Sequence, residues 1–526
     1  MSRIDSISGV LILLLAGAVF AENPIIQTKF TADPAPVVWN DTVFLYTTHD
    51  EDAATGSGGF LMKNWMLYTS TDMVNWQDHG IVASLSDFKW GPQENGAWAP
   101  QVIQRNSKFY FYAPLHGKGI GVLVSDSPYG PFTDPIGKAL VNADPWAYID
   151  PSVMIDSDGQ AYLYFGNPDV YSVKLNSDMI STSGSITKYP KITSFQEGPW
   201  VYKRGNYYYL AFSSTCCPEG IGYAMGNSPT GPWTFKNSIM DGNYQSSGNH
   251  PGIIDFKGKS YVFGFNYAIS KSLDPTTARE RRSVMIAEIK YNPTDGTIAK
   301  LPFWGTGMPS GPGVDQVGTL NPYKQIEGET MAWSQGVKTE TCTEGGMALG
   351  DIENGEYIKI KGADFGVGAK SFTARVASNT SGGSIELRLG SKTGTLIGTC
   401  AVVSTGGWQT WKTVTCDVTG ATGVKDLFLV FTGGSGFLFN LNWWRFIGDA
   451  GTSSSSSVSI QPMGSLFGKN NKEYQVFNTQ GSYMGRVTAN SLQECLSIVR
   501  RFHLAGIYLV RSANGNEVQK IVVLPH

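Results

Sequence analysis

Three carboxylates and a histidine stand at the start of segments that share one pattern. Asp33, Asp150, Glu197 and His250 each precede a proline, directly or after one glycine, and each leads into an apolar run, a polar turn and an aromatic strand. Hydrolysis of a glycosidic bond requires one carboxyl group that protonates the leaving oxygen and one carboxylate that activates water. A third carboxylate nearby raises the pKa of the acid by like-charge repulsion. The set predicts acid-base hydrolysis, although each Asp-Pro or Glu-Gly-Pro taken singly is more typical of a turn.

The elements that must position these residues are sequence repeats. The pattern occurs five times, at residues 33, 98, 150, 197 and 250, with Trp98 beginning the second copy. Intervals of about 50 residues suit one four-stranded sheet per repeat, which predicts an all-β, five-bladed β-propeller. Because the innermost strand of each blade begins beside the central axis, we expect these five residues to converge on one cavity.

A second repeat follows the aromatic strands of three copies. It runs through Leu67 to Trp76, Val124 to Phe132 and Ala224 to Trp233, and each copy ends on a large ring. This arrangement is typical of an outer strand and turn whose ring closes over the neighbouring blade. We interpret these residues as structural.

The first 21 residues have the pattern of a signal peptide. Arg3 precedes an apolar run from Gly9 to Phe20, and Ala21 is a small residue that could precede cleavage. The run is too short to span a bilayer; the alternative is a buried N-terminal helix. We therefore expect an exported protein that is secreted or attached to the cell surface, without a transmembrane segment. A net charge of −3 gives no electrostatic reason to expect a nucleic acid partner.

Changes in composition divide the rest of the chain. The propeller is expected over 24–305, a Gly/Pro-rich linker over 306–324, a strand-rich unit over 325–448, and a serine-rich linker over 449–460. The last segment, 461–526, is short, β-patterned and basic. It resembles the C-terminal sorting or attachment modules of polysaccharide-degrading bacteria, and a generic small β domain or a protein-docking element remains an alternative.

Four motifs in the first 300 residues resemble glycoside hydrolase family 43. They are Ala32-Asp33-Pro34, Tyr148-Ile149-Asp150-Pro151-Ser152, Glu197-Gly198-Pro199 and Asn249-His250-Pro251-Gly252. The resemblance implies that Asp33 is the general base, Glu197 the general acid and Asp150 the modulator of the acid's pKa. It also implies inversion, with base and acid carboxyl groups about 6.5 to 9.5 Å apart. His250 matches a histidine associated with a calcium ion, which it would contact through water because calcium prefers oxygen ligands.

Further residues are candidates for the same pocket. Trp98 and Tyr148 could stack on a sugar face or could be plain packing, and Arg282 could reach the sugar hydroxyl groups or the acid. The adjacent Cys216 and Cys217 are two thiols, a pair of which one is partnered elsewhere, or a vicinal disulfide. The pattern implies no organic cofactor.

Residues 325–448 resemble a family 6 carbohydrate-binding module, which is a β-sandwich. The motifs are Ile326-Glu327-Gly328-Glu329, Ile352-Glu353-Asn354-Gly355-Glu356-Tyr357, Gly406-Gly407-Trp408-Gln409-Thr410-Trp411 and Phe439-Asn440-Leu441-Asn442-Trp443-Trp444. The resemblance implies that Trp408 stacks on sugar, with Asn442 and Glu340 as polar contacts, unless Trp408 and Trp411 are both core residues. Glu327 and Glu329 match positions of a structural calcium. Asp351 replaces an aromatic residue found in many members.

Cys400 and Cys416 could form a disulfide, which leaves Cys342 and Cys495 without obvious partners.

The combination of both modules resembles arabinoxylan arabinofuranohydrolases, which remove arabinofuranosyl branches from xylan. The resemblance implies an arabinoxylan or xylan substrate. Related enzymes with the same three carboxylates are β-xylosidases, xylanases or arabinanases, because loops around the substrate set the specificity. A non-catalytic, sugar-binding propeller is the alternative from another class.

Overall fold

The computed structural model describes residues 22–53, 60–142, 144, 147–243, 249–273, 281–305, 307–311 and 313–448, with four C-terminal strands. The chain forms two compact units, Met1–Phe365 with Ser371–Phe446, and Gly366–Lys370 with Ile447–His526. The described residues are all-β apart from two short helices, the 3-10 turn Leu85–Asp87 and α1 (Ala268–Leu273). Among the described residues, no helix has the length and apolar character needed to cross a membrane.

The N-terminal part contains five antiparallel sheets that follow one another along the chain. Their strands are β1 (Thr31–Trp39), β2 (Thr42–His49), β3 (Asn64–Ser70) and β4 (Trp76–Ser84) in sheet 1; β5 (Gln101–Arg105), β6 (Lys108–Leu115) and β7 (Gly119–Ser125) in sheet 2; β8 (Ser152–Ile155), β9 (Ala161–Phe165), β10 (Tyr171–Leu175) and β11 (Thr182–Lys188) in sheet 3; β12 (Phe195–Arg204), β13 (Tyr207–Ser214), β14 (Ile221–Gly226) and β15 (Thr234–Met240) in sheet 4; and β16 (Gly252–Phe256), β17 (Lys259–Asn266) and β18 (Ser283–Ile289) in sheet 5.

Tyrosine hydroxyl groups connect consecutive sheets. In sheets 1 to 4, a tyrosine of the second strand donates a hydrogen bond to a backbone carbonyl of the following sheet or of the loop after it. The donor and acceptor pairs are Tyr46 with Pro128, Tyr112 with Met179, Tyr164 with Pro229, and Tyr209 with Gly296, at 2.6 to 2.7 Å. Two acceptors, Pro128 and Pro229, lie in the outer-turn repeats. These turns therefore accept hydrogen bonds from the neighbouring sheet in addition to packing their rings.

Sheet 5 packs against sheet 1. Val43 and Leu45 of sheet 1 share a buried apolar cluster with Phe263 and Val284 of sheet 5. The N-terminal segment reinforces sheet 5, because the Asn23 side chain accepts a hydrogen bond from the Ile286 amide at 3.0 Å and donates to its carbonyl at 2.9 Å. The first and last sheets are thus neighbours in space although they are far apart in the sequence.

Residues 325–448 form a two-sheet β-sandwich. Its first sheet contains β19 (Ile326–Glu327), β22 (Lys338–Thr341), β23 (Met347–Gly350), β25 (Ala369–Ala377), β28 (Lys412–Asp417) and β30 (Asn440–Gly448), and its second contains β21 (Trp333–Gln335), β24 (Tyr357–Asp364), β26 (Gly383–Leu389), β27 (Thr395–Val402) and β29 (Val424–Gly433). A disulfide between Cys400 of β27 and Cys416 of β28 links the two sheets. Cys342 is a buried free thiol, and Cys495 lies outside the described residues.

The sandwich is docked directly on sheet 1. Strand β20 (Thr330–Met331) pairs with β4 and extends that sheet. The Thr339 hydroxyl donates to the buried Asp78 carboxylate at 2.7 Å. The preceding linker is also packed, since the Val317 amide donates to the Asp72 carbonyl. The Leu320 amide donates to the Gly362 carbonyl of the sandwich, so residues 313–324 of the predicted linker are held against both neighbouring domains.

The second unit contains one four-stranded sheet. Its strands are β31 (Lys472–Asn478), β32 (Tyr483–Ala489), β33 (Gly506–Ser512) and β34 (Val518–Val523), in the order β32-β31-β33-β34. The signal-peptide prediction for 1–21 and the serine-rich linker prediction for 449–460 concern residues outside the described part of the chain.

Candidate active site

The predicted carboxylates meet in one cavity of about 210 Å³. Its wall contains Asp33, Asp150, Glu197, His250 and Arg282, together with Trp98, Phe60, Met62, Ala99, Ile149 and Asn167. These residues come from the starts or ends of strands in all five sheets or from the adjoining loops. The structure therefore brings together the axial residues of the five repeats.

Irregular backbone aims the carboxylates into the cavity. Asp33 and Asp150 occupy the left-handed region, with φ of 49° and 58°, which aspartate tolerates better than most residues. The register of β1 against β2 shifts at Asp33, and that of β12 against β13 shifts on both sides of Glu197. Such bulges bend a strand and redirect one side chain. In the β1–β2 and β12–β13 hairpins, the uninterrupted pairing of the strands thus begins only after Asp33 and Glu197.

Asp33 is held by a buried network. The Arg282 guanidinium donates to Asp33 Oδ1 at 2.9 Å, and the Thr48 hydroxyl donates to Oδ2 at 2.9 Å. Arg282 is itself fixed by Asp50, which accepts from Nε, Nη2 and the backbone amide of Arg282 at 2.8 to 2.9 Å. Burial raises the pKa of Asp50, and Arg282 opposes that rise. Arg282 therefore bonds the candidate base, and none of its hydrogen bonds here reaches Glu197.

His250 lies between the three carboxylates. Its Nδ1 is 3.6 Å from Asp33 Oδ1, whereas its Nε2 is 3.6 Å from Asp150 Oδ2 and 3.2 Å from Glu197 Oε1. Asp33 and Glu197 thus face opposite nitrogens of one ring. The expected spacing of about 6.5 to 9.5 Å between base and acid carboxyl groups stays a prediction.

The surroundings of Asp150 and His250 in the cavity shift the pKa values of both side chains. Burial, reinforced by repulsion from Glu197 and Asp33, raises the pKa of Asp150 to about 7, although His250 pulls it down. Burial alone would lower the pKa of His250, but Asp150, Asp33 and Glu197 outweigh it and raise that pKa to about 10. His250 Nε2 lies within hydrogen-bond distance of Glu197 Oε1, and one ligand atom from each of Asp150, Glu197 and His250 lies within 4.8 Å of the others.

Glu197 is the most accessible of the three carboxylates. Its side chain is 19% exposed, whereas those of Asp33 and Asp150 are 4% exposed. The Asn167 amide donates to Glu197 Oε2 at 2.6 Å. The following residue, Gly198, donates its backbone N–H to Asp150 at 3.1 Å. This position suits a group that must reach the leaving oxygen of a bound sugar.

Comparison with known proteins identifies the family. Residues 21–298 match the glycosyl hydrolases family 43, and residues 327–448 match the carbohydrate binding module family 6. The chain belongs to glycosyl hydrolase family 43. An arabinoxylan arabinofuranohydrolase of Paenibacillus polymyxa is 35% identical over 89% of this chain and 78% of its own length, and one of Bacillus subtilis (strain 168) is 36% identical over 81% and 92%. The crystal structure of a Bacillus subtilis arabinoxylan arabinofuranohydrolase in complex with cellotetraose has a TM-score of 0.71, at 35% identity over 81% of this chain and 97% of that one.

Several residues in and around the family 43 site were not predicted from the sequence. They are Thr48, Asp50, Phe60, Met62 and Asn167. Asp50 and Asn167 follow the second strands of sheets 1 and 3, which pair antiparallel with the first strands. In such a hairpin, the residues after the second strand lie beside the residues that precede the first. Polar residues at these positions were therefore a usable signal.

The two aromatic candidates have different surroundings. Trp98 lines the cavity, and its ring stacks on His116 with centroids 4.5 Å apart. Tyr148 does not belong to the described cavity wall. Its ring packs against Phe165 and Tyr171 at 5.1 Å. Tyr148 is half-buried beside these aromatic residues of sheet 3, and its stacking on a sugar stays a prediction.

Cys216 and Cys217 form a vicinal disulfide in the loop after β13. Both side chains are exposed. Ser214, which ends β13, pairs with Phe195 at the start of β12. The cysteine loop therefore lies at the end of sheet 4 that carries Glu197.

The family 6 module arranges its candidate sugar residues differently from the prediction. Glu340 accepts a hydrogen bond from Gln409 at 2.8 Å, and the Asn440 amide donates to the Trp408 carbonyl at 2.9 Å and also to Glu340. Trp408 is half-buried, whereas Trp411 is buried. Asn442 instead donates to Glu344 at 3.0 Å. Asn440, two residues earlier on β30, is thus the asparagine beside Trp408, whereas Asn442 lies beside Glu344, and a sugar contact by Asn442 stays a prediction.

Glu327 and Glu329 line a second cavity, of about 380 Å³, together with Asn442. Glu329 is 2% exposed, and its Oε2 has no hydrogen-bond partner among the described residues. Burial, with repulsion from Glu327, raises the pKa of Glu329. A buried carboxylate with an unpaired oxygen is costly unless a positive charge compensates it, so these residues fit a hard cation with oxygen ligands.

Proposed function

We propose that this family 43 enzyme removes α-L-arabinofuranosyl side chains from arabinoxylan by hydrolysis with inversion. The observation that carries this proposal is the placement of Asp33 and Glu197 against opposite nitrogens of His250 in one cavity. The two arabinoxylan arabinofuranohydrolases that match most of the chain support the choice of substrate. The five consecutive sheets, with sheet 5 packed on sheet 1, support a closed five-bladed propeller as the scaffold.

The reaction is a single displacement. Asp33, as carboxylate, takes a proton from a water molecule while that water attacks the anomeric carbon of the arabinofuranosyl unit. Glu197 gives its proton to the glycosidic oxygen, the bond between that oxygen and the anomeric carbon breaks, and the xylan hydroxyl group leaves. The proton gained by Asp33 and the proton lost by Glu197 are then exchanged with solvent, which regenerates the site.

The remaining polar residues position these two. Arg282, locked by Asp50, donates a hydrogen bond to Asp33 and fixes its orientation. His250 and the Gly198 amide hold Asp150 beside Glu197. Asp150 places a third carboxyl group near the acid, which is the arrangement expected of a modulator. Trp98 supplies an aromatic wall for the sugar.

The accessory parts have proposed roles as well. The family 6 module binds the xylan main chain through Trp408, with Asn440 and Glu340 as polar contacts, and a calcium ion is held by Glu327 and Glu329. A calcium ion near His250 would be contacted through water. Export by the first 21 residues and attachment through 461–526 complete the proposal.

The test replaces the two reacting carboxyl groups by amides. Asp33→Asn and Glu197→Gln should each lower turnover of arabinoxylan by at least about a hundredfold, with the circular dichroism spectrum unchanged. Only Glu197→Gln should recover part of its rate on an aryl arabinofuranoside, since a good leaving group needs no proton. Near-normal activity of either variant would refute the assignment of the catalytic residues. Release of xylose instead of arabinose by the wild-type enzyme would refute the proposed substrate.

A further inference from the structure

The cavity beside Glu329 lies between the sandwich and sheet 1, and we name it the interdomain cavity. Its wall takes Glu327, Glu329, Asn442 and Trp443 from the sandwich, and Gln77 and His79 from β4 of the catalytic domain. Both sides therefore contribute polar atoms to one space. A cation held there by the sandwich would also face the catalytic domain.

Contacts around the interdomain cavity couple its two sides closely. The Gln77 amide donates to Glu329 Oε1 at 3.4 Å. The next residue after Glu329, Thr330, pairs with Gln77 in the β-ladder that joins β20 to β4. A displacement of Glu329 would thus be transmitted to the ladder within one residue.

The charges around the interdomain cavity require compensation. Glu327, Glu329 and Glu344 line it, as does Asp78 of the catalytic domain. Arg375 compensates Glu344 through an ion pair, and Thr339 and the Gly80 amide donate to Asp78. Glu329 Oε2 has no such donor among the described residues. A buried carboxyl oxygen without a donor therefore remains at the point where the two domains meet.

We propose that a calcium ion bound by Glu327 and Glu329 fastens the family 6 module to sheet 1, so that β4 of the catalytic domain becomes more rigid when the ion binds. Asn442 donates its amide hydrogen to Glu344, which leaves its side-chain oxygen available as a further ligand. Carboxylate and amide oxygens are the ligands that calcium prefers. This inference rests on the proposed calcium site but not on the proposed hydrolysis.

The experiment is hydrogen exchange of the full chain, measured by mass spectrometry in calcium and in chelator. Calcium should slow exchange in peptides from 326–331 and also in peptides from Trp76–Ser84, while peptides from β13 and β14 serve as the reference. Glu329→Gln should abolish both effects, and Glu353→Gln, which removes an exposed carboxylate of the same module, should preserve both. Glu327→Gln replaces Glu329→Gln if the latter does not fold.

A terbium titration locates the ion independently of activity. Because Trp443 lines the cavity, excitation of tryptophan should sensitise terbium emission, and Trp443→Phe should lose most of that emission while calcium still slows exchange. If calcium slowed hydrogen exchange only in peptides from 326–331, the proposed coupling to β4 would be wrong. If calcium slowed exchange equally in Glu329→Gln, the proposed calcium site would be wrong. Arabinose release from an aryl arabinofuranoside by the same samples tests the hydrolytic proposal separately.

Discussion

At the scale of single residues, the sequence predicted which groups meet but not how they are held. The carboxylates and His250 were recognisable because each begins a repeat. The position of Asp50 after β2 was a usable signal for its place in the site, but its role was not predictable, since that role comes from bonding Arg282 across more than 200 residues of sequence. The sequence did not show which of Asn440 and Asn442 lies beside Trp408, because the two lie on the same face of β30 and only the packed sandwich separates their neighbours.

Gly198 provides a sharp test at this scale. A Cβ atom on Gly198 would lie 2.9 Å from the His250 ring, whereas one on Gly205 would meet nothing within 4 Å, and both glycines have positive φ, 59° and 56°. Gly198→Ala should displace His250 and lower kcat by about a hundredfold. Gly205→Ala introduces a similar backbone strain, because its φ is also positive, and should retain activity. Equal kinetics of the two variants would show that the ring position is unimportant.

At the scale of elements, five hairpin repeats were predictable from spacing, since a strand, turn and strand leave a local pattern. The links between sheets were less predictable. The sequence indicated that rings of the outer turns pack on neighbours, but not that Tyr46 and Tyr164 donate hydrogen bonds to carbonyls of those turns. Such partners depend on how adjacent sheets are placed, which no local pattern records.

Asp156 links sheet 3 to sheet 4, and we expect its contribution to the stability of the fold to depend on pH. Burial acts to raise its pKa, but hydrogen bonds from Lys203 and Tyr208 prevail and lower that pKa from 3.8 to about 2. A lowered carboxyl pKa stabilises the fold above the ordinary value, and the stabilisation disappears as the pH falls through the folded value. The free-energy difference between wild type and Asp156→Asn should therefore be largest near neutral pH and shrink between about pH 4 and 2.

Denaturant unfolding across this pH range measures that difference. Asp158→Asn is the matched control, because Asp158 is an exposed carboxylate in the same turn. A difference for Asp156→Asn that stays constant down to about pH 2 would mean that its charge does not stabilise the sheet contact.

At the scale of the whole molecule, the sequence predicted two domains joined by a linker, and the described linker residues are packed between them. Gly- and Pro-rich composition indicates where regular structure ends, but it does not indicate whether a segment is docked. The pairing of β20 with β4 depends on contacts between residues some 250 positions apart. The family 6 module is thus joined to the catalytic domain by paired strands.

The module should matter for polymers more than for small substrates. Trp408→Ala removes the ring proposed to stack on xylan, so it should lower activity on insoluble arabinoxylan while turnover of an aryl arabinofuranoside stays unchanged. Trp411→Phe offers a control, because Trp411 is buried against Ala348 and Ala377. If Trp408→Ala leaves both binding and polymer activity unchanged, the module supports the catalytic domain without binding its substrate.

The central claim is that Asp33 and Glu197 hydrolyse an arabinofuranosyl bond in one displacement. The most direct measurement is proton NMR of arabinoxylan during the first minutes of reaction with the full-length enzyme. Attack by water from the face opposite the leaving group predicts that arabinose is released first as the β-anomer from α-linked branches, and that the α-anomer grows only by mutarotation. Initial release of α-arabinose, or of xylose in place of arabinose, would contradict the account.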